Sequence, residues 1–277
     1  MEKKSFAWDL NLTFDRIRSK ITDLGGIPSF SNDLYRVETD QAVGVMYGNA
    51  VMTSLDELVT DGSGYVMNAW NVAYSETDPS GNTPLSAFSV NNLGYVVQTA
   101  TIGTDTEFAT FYKDMDTGAK EKRIIGDRNP DFKIGLANTF TFFNKLQVYT
   151  LLDWKQGGDK YNQTRQYMFF NYRHADQIDY TAKGHDVLFS TSASSLYNAN
   201  DYCSAFVEDA SYLKVREVAV SYTFDKPIRG LDRVRLSFVG RNLLTFTKYN
   251  SYDPEGYQEY FEYPIFRTYT GSILVSF

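Results

Sequence analysis

Between Ser5 and Ile17 hydrophobic and polar side chains alternate without a miss. Phe6, Trp8, Leu10, Leu12 and Phe14 fall on one face, and Ala7, Asp9, Asn11, Thr13 and Asp15 on the other. Successive side chains of an extended strand point to opposite faces, so a period of two predicts a β-strand with one apolar and one polar surface. Five later segments follow the same rule over most of their length. Residues 131–142 carry Phe132, Ile134, Leu136, Phe140 and Phe142 on one face, and residues 145–155 carry Leu146, Val148, Leu152 and Trp154. Residues 233–246 align Val234, Leu236, Phe238, Leu244 and Phe246, and residues 266–277 align Tyr269, Ile273, Val275 and Phe277. In residues 211–224 the apolar series is Val218, Val220, Tyr222 and Phe224, with Leu213 and Val215 out of phase. That slip predicts a bulge near Arg216.

These segments reach about a dozen residues, longer than the usual globular strand of about 5–6 and close to the 9–11 tilted residues that cross a bilayer. Their connections alternate in length. Phe143-Asn144-Lys145 and the stretch from Asp225 to Asp232 are short, whereas residues 18–130, 156–210 and 247–265 are long. The expected fold is all-β, a portion of an antiparallel transmembrane β-barrel with about six C-terminal strands and long extracellular loops that contain a short helix. Short turns would face the periplasm, and further strands are expected around residues 64–74 and 94–101. A secreted β-sandwich also alternates, but its strands are shorter and turn every 8–12 residues or so.

Composition sharpens this picture. Aromatics make up 16% of the chain, with 21 Tyr and 20 Phe, residues that suit pleated surfaces and membrane interfaces. No apolar run approaches the roughly 18 residues of a spanning helix, which leaves a spanning barrel open. The net charge of −7 comes without a Lys/Arg-dense stripe, so nucleic acid is not an expected partner. Cys203 is the lone cysteine and can form no internal disulfide. Asp9 and Asn11 interrupt the apolar stretch that an export signal would need near Met1.

Trp154-Lys-Gln-Gly-Gly-Asp-Lys-Tyr-Asn162 resembles a signature of the SusC/RagA family of TonB-linked outer-membrane proteins, at the point where a strand exits into a large surface loop. Asp209 to Tyr222, Gly240 to Tyr249, and Asp253-Pro-Glu255 followed by Tyr263-Pro264 and Arg267 to Thr270 resemble the run of that family's last three strands. The likeness covers residues from about 124 to 277, while residues 18–123 match only loosely. It implies a barrel of about twenty-two strands with an internal plug, a SusD-like lipoprotein lid and energy from TonB. The plug and N-terminal domains would lie outside this chain, and Phe277 would be the aromatic terminal residue read by the barrel-assembly machinery.

Two groups of residues are candidates for function. In the loop after the signature, Tyr161, Tyr167, Phe169, Phe170 and Tyr172 stand beside Asn162, Gln163, Arg165 and Arg173; planar rings among polar groups could stack on sugars or meet a lid protein. The competing reading is a helix over about 162–172 that packs on the barrel rim. On the polar faces Glu217, Arg235 and Arg241 are expected to point to the barrel interior, because Arg facing lipid at mid-membrane costs about 2–4 kcal/mol. If Phe224 pairs with Val234, Glu217 falls opposite Arg241. His174 and His185 lack ligand spacing and read as solvated loop residues. Gly157-Gly158 reads as a left-handed strand exit, and Asp253-Pro254-Glu255 as a rigid surface turn. No catalytic, cofactor or metal site is expected. The expected role is import of an oligosaccharide or peptide across outer-membrane lipid, with a secreted β-rich carbohydrate-binding module as the rival and a glycoside hydrolase behind it.

Overall fold

A computed structural model describes residues 5–70, 83–102, 107–171, 173–174, 201–256 and 260–277. In chain order the strands begin with β1 (Phe6–Asp15), β2 (Phe30–Asn32), β3 (Tyr35–Val37), β4 (Val45–Asn49), β5 (Ala69–Trp70), β6 (Phe88–Val90), β7 (Val96–Gln98) and β8 (Phe111–Tyr112). They continue with β9 (Lys122–Asp127), β10 (Phe132–Phe142), β11 (Leu146–Gln156) and β12 (Asp159–Tyr161), then helix α1 (Gln163–Phe170). The last are β13 (Val207–Asp209), β14 (Tyr212–Asp225), β15 (Arg233–Thr247) and β16 (Thr268–Ser276). The six long strands form one antiparallel sheet in the order β1-β10-β11-β14-β15-β16.

Registration turns the alternation of each strand into rows that cross the sheet. Trp8, Phe140, Val148, Val220 and Phe238 are successive partners in one row, and Phe6, Phe142, Leu146, Tyr222, Leu236 and Ile273 in another. Stacked aromatic pairs such as Trp8–Phe140 and Phe238–Tyr269 run along this surface, yet its side chains remain largely exposed. The pairing shifts register on both sides of Arg216, where β14 carries an extra residue relative to β11. This bulge returns Leu213 and Val215 to the apolar face and leaves Arg216 and Glu217 together on the polar one.

One row of the apolar face is interrupted by Asn138 and Thr150, which are paired across β10 and β11. The Trp8 indole N–H donates to Asn138 Oδ1 at 3.2 Å, and Asn138 Nδ2 donates to Thr150 Oγ1 at 3.4 Å. The amide is thereby satisfied within the protein.

The connections separate cleanly by end. β10 and β11 are joined through Phe143 and Asn144, both left-handed with φ of 52° and 56°, the conformation of a tight hairpin whose twist matches its strands. The connections β1–β10, β11–β14 and β15–β16 all leave the opposite end. Because β1 pairs directly with β10, residues 16–131 are an excursion between neighbouring strands. The strands expected inside it are short: β5 pairs with β8 and β7 with β6, and none joins the long sheet. Residues 71–74 of that expectation lie outside the described residues.

The excursion packs on the next loop. Leu34, Met46, Val51, Ala109 and Phe111 share a core with Tyr161, Phe169, Cys203 and Phe206. A second cluster joins Met52, Leu58, Ala69, Phe88 and Val96. The β15–β16 connection closes on the same body, with Tyr167 of α1 stacked on Phe261 at 5.8 Å between ring centres. The long connections therefore form one cap at one end of the sheet.

Candidate functional site at the loop end of the polar face

The segment Trp154–Asn162 fastens cap to sheet, and each of its residue types has a physical task. Trp154 stays on the apolar face, edge-on to Phe132 at 5.1 Å. Gly157 and Gly158 follow with φ of 72° and 79°. A Cβ on Gly158 would stand 2.7 Å from the Arg128 carbonyl oxygen, so both the left-handed backbone and the close approach of the 128–131 strand exit require glycine here. Asp159 then accepts the Asp127 backbone N–H at 2.9 Å, and burial raises the pKa of its carboxyl despite that bond. Asn162 caps α1, its Oδ1 accepting the Arg165 N–H at 2.9 Å.

Around this segment the polar face carries a chain of ion pairs. Lys160 Nζ meets Glu262 Oε2 at 2.6 Å and the Asp253 carbonyl at 3.0 Å. Lys214 Nζ meets Asp253 Oδ1 at 2.7 Å and Glu255 Oε2 at 2.9 Å. Arg216 bridges Asp153 and Glu255, with Nη2 at 2.6 Å from Glu255 Oε1. Burial works to raise the Glu255 pKa, but the hydrogen bonds and charges of Arg216 and Lys214 outweigh it and hold the carboxyl at about 2. Lys160 and Lys214 are almost fully buried, so each depends on its partners for the charge it carries. Asp253 is thus buried within this network while the Glu255 side chain stays partly exposed, and the Glu255 N–H to Asp253 Oδ1 bond of 2.8 Å folds the chain back at Pro254.

The aromatic loop residues divide. Tyr161 is 0% exposed; its hydroxyl donates to Gln166 Oε1 at 2.9 Å and accepts the Cys203 N–H at 3.1 Å, so it is core and cannot stack on a ligand. Asn162 is likewise fully buried, its amide donating to Glu208 and to the Asn250 carbonyl. Arg165 pairs with Glu208 at 3.2 Å and lies over Phe169 and Phe206. Tyr167 is held by Phe261, and Phe170 remains exposed. Tyr172 and His185 lie outside the described residues. His174 is half-buried and stacked on Phe169 at 4.2 Å. Cys203 is buried, and burial pushes its thiol up to about 12, which leaves it unreactive.

Glu217 and Arg241 are cross-strand partners joined at 2.7 Å on the polar face. Arg235 sits on the same face, donating to Gln147 Oε1 at 2.7 Å and Ser221 Oγ at 2.8 Å. Sequence reasoning missed the network of Lys160, Lys214, Arg216, Asp153 and Glu262. The available signal was the run of charges Lys214, Arg216 and Glu217 around the phase slip, since the bulge is what collects them on one side.

No family model matches the chain. TonB-dependent receptor P3 of Formosa agariphila is 25% identical over 201 residues, which cover 65% of this chain and 20% of that protein. TonB-dependent receptor P39 of the same organism is 23% identical over 279 residues, covering 92% of this chain and 26% of its own length. Among solved structures, the RagAB peptide importer in the open-open state matches with a TM-score of 0.63 at 17% identity, over 100% of this chain and 27% of that one. The RagAB peptide transporter matches at 0.58 with 14% identity, over 100% of this chain and 28% of that one. The chain thus spans between 20% and 26% of the length of these curated relatives. At such identities the structural likeness establishes the fold, a wall of long antiparallel barrel strands. Joined to the sequence relatives, it makes the chain similar to TonB-dependent receptors in sequence as well as in fold, its six-stranded sheet matching part of the barrel of these larger proteins.

Proposed function

We propose that this chain supplies the C-terminal barrel wall and surface loops of a TonB-energised outer-membrane importer for glycan-derived oligosaccharides or peptides, gated by a SusD-like lipoprotein. The observation that carries this reading is the uncovered apolar face. Residues such as Phe238 at 56% and Ile273 at 71% exposure lie in continuous rows on the sheet, a surface that water penalises by about 25 cal/mol per Å² and lipid does not. In this reading the polar face, with Glu217, Arg235 and Arg241, borders the barrel interior. The long loops face outward, and β1 and β16, each paired on one side only, continue into further strands. The importer carries out no covalent chemistry and needs no cofactor; TonB engages a region outside this chain.

The likeness to a peptide importer supports a peptide solute. The rival carbohydrate-binding module loses its main support, because Tyr161 is buried and Tyr167 is engaged by Phe261. The test is uptake by intact cells of fluorescent oligosaccharides and peptides, with and without the receptor gene and with TonB inactivated. Loss of uptake in both backgrounds, together with co-purification of a lipoprotein in detergent, is the expected result. A receptor that stays monodisperse in plain buffer, with its apolar rows packed inside, would end this reading.

A further inference from the structure

A cavity of about 170 Å³ opens on the polar face beneath the cap, lined by Arg128, Lys133, Lys155 and Lys160 together with Tyr212, Asp159 and Glu255. Lys133 on β10 and Lys155 on β11 are direct cross-strand partners. Like charges placed directly opposite destabilise an antiparallel pair, so the fold carries this arrangement at a cost. Among the described residues neither lysine has a carboxylate at ion-pair distance; Asp15, the β1 partner of Lys133, makes no ion pair with it. Of the acids that line the cavity, Glu255 is bonded to Lys214 and Arg216, and Asp159 accepts the Asp127 N–H; both act on Lys155 through charge from beyond ion-pair distance. Lys160 is matched by Glu262, and Lys155 Nζ lies over the Tyr212 ring, 5.5 Å from its centre. The cavity is thus walled by four cations against two acids, and among the described residues Lys133 and Lys155 are the two cations of that wall without a contact ion pair or hydrogen bond.

We propose that this cavity is an anion site for a carboxylate carried by the imported solute, whether the acidic side chain or terminus of a peptide or the uronate of an oligosaccharide. The proposal rests on the importer reading and narrows its substrate class to acidic solutes. Two ammonium groups side by side, with Arg128 at the rim, give a carboxylate charge-assisted hydrogen bonds in a recess partly removed from water. The cavity has room for the group and the first atoms that bear it.

The test uses the intact receptor in detergent and four probes: N-acetyl-Asp-Ala-Asp, its neutral analogue N-acetyl-Asn-Ala-Asn amide, trigalacturonate and maltotriose. The proposal expects one acidic probe to bind at least tenfold more tightly than its neutral counterpart, and that pair identifies the source of the carboxylate. Lys133→Gln with Lys155→Gln should remove most of this preference and leave the neutral probes unaffected. The same double substitution should maintain or raise the thermal midpoint of the ligand-free receptor, because it relieves the like-charge pair. Two results overturn the proposal: acidic-probe binding that the substitutions do not change, or a fall in midpoint with equal loss for acidic and neutral probes, which marks the lysines as structural. In both cases continued TonB-dependent uptake of the neutral probes leaves the importer reading intact. If cells import none of the four, both readings fall together.

Discussion

Phe238 and Phe206 carry the same side chain into opposite surroundings. Phe238, in the long sheet, is 56% exposed, while Phe206, in the cap, is 1% exposed and packs against Tyr161, Phe169 and Arg165. In the sheet an aromatic ring needs only the correct parity, because its other contact is a fluid. In the cap it needs a cavity of its own shape, formed by residues up to 172 positions apart, as in the contact set that joins Leu34 to Phe206. The sheet is therefore held by repetition of a simple rule, and the cap by particular contacts that cannot be exchanged.

The largest effect should come from the seam where the cap's Asp253 meets Lys214 of β14. Lys214→Ala would leave Asp253, nearly buried, without its cation, and breaking such a pair costs about 3–5 kcal/mol. Thermal unfolding of the receptor and protease cleavage within residues 248–267 would register the loss. Lys214→Met combined with Asp253→Leu should recover most of it, since apolar replacements of a buried pair are often neutral. A recovery no better than either single change would mean that the network acts through more partners than this pair.

The sheet has its own hard limit, set by its surroundings and not by its contacts. Phe238→Arg should cost about 2–4 kcal/mol in folding into vesicles, whereas Val239→Arg, one residue along on the polar face, should stay within about 0.5 kcal/mol. Equal costs at the two positions would contradict the assignment of faces on which the comparison stands.

That contrast explains what the sequence disclosed. Alternation in Phe6 to Phe14 and in Val234 to Phe238 reports parity directly, and the phase slip at Val215 to Val218 marked the bulge at Arg216. The cap was opaque because its residues have no period. Tyr161 and Asn162 looked like ligand contacts from their neighbours in sequence, yet a buried hydroxyl bond to Gln166 and a helix cap decide their roles. The Lys133–Lys155 opposition depends on strand register and becomes visible only after β10 and β11 are paired.

A single methyl group distinguishes the regions at lower energy. Gly158→Ala puts a Cβ against the Arg128 carbonyl in a left-handed backbone and should cost about 1–3 kcal/mol. At Gly271 on β16 the same methyl meets nothing within 4 Å, so Gly271→Ala should shift stability by no more than about 0.5 kcal/mol. Paired thermal midpoints of the two variants would check this.

Acid should loosen the cap before the sheet, and by less than any of the substitutions above. Glu255 has a folded pKa of about 2, below its ordinary 4.5, so the stability it contributes is complete above pH 4.5 and drains away as pH falls from 4.5 toward 2. Its partial exposure screens the pair and keeps the effect small. Asp159 works in the opposite sense. Its raised pKa means that protonation relieves a buried charge, so β12 gains as the contacts of Glu255 weaken. Amide exchange, normalised to the intrinsic rate at each pH, should therefore show protection lost at Glu255 and Phe261, whose N–H groups donate to Asp253 and Thr164. The Asp127 N–H, bonded to Asp159, and the amides of β10 and β11 should keep theirs. A uniform loss of protection across cap and sheet would show that the two regions unfold as one unit, and the division drawn between Phe206 and Phe238 would then be one of surroundings alone.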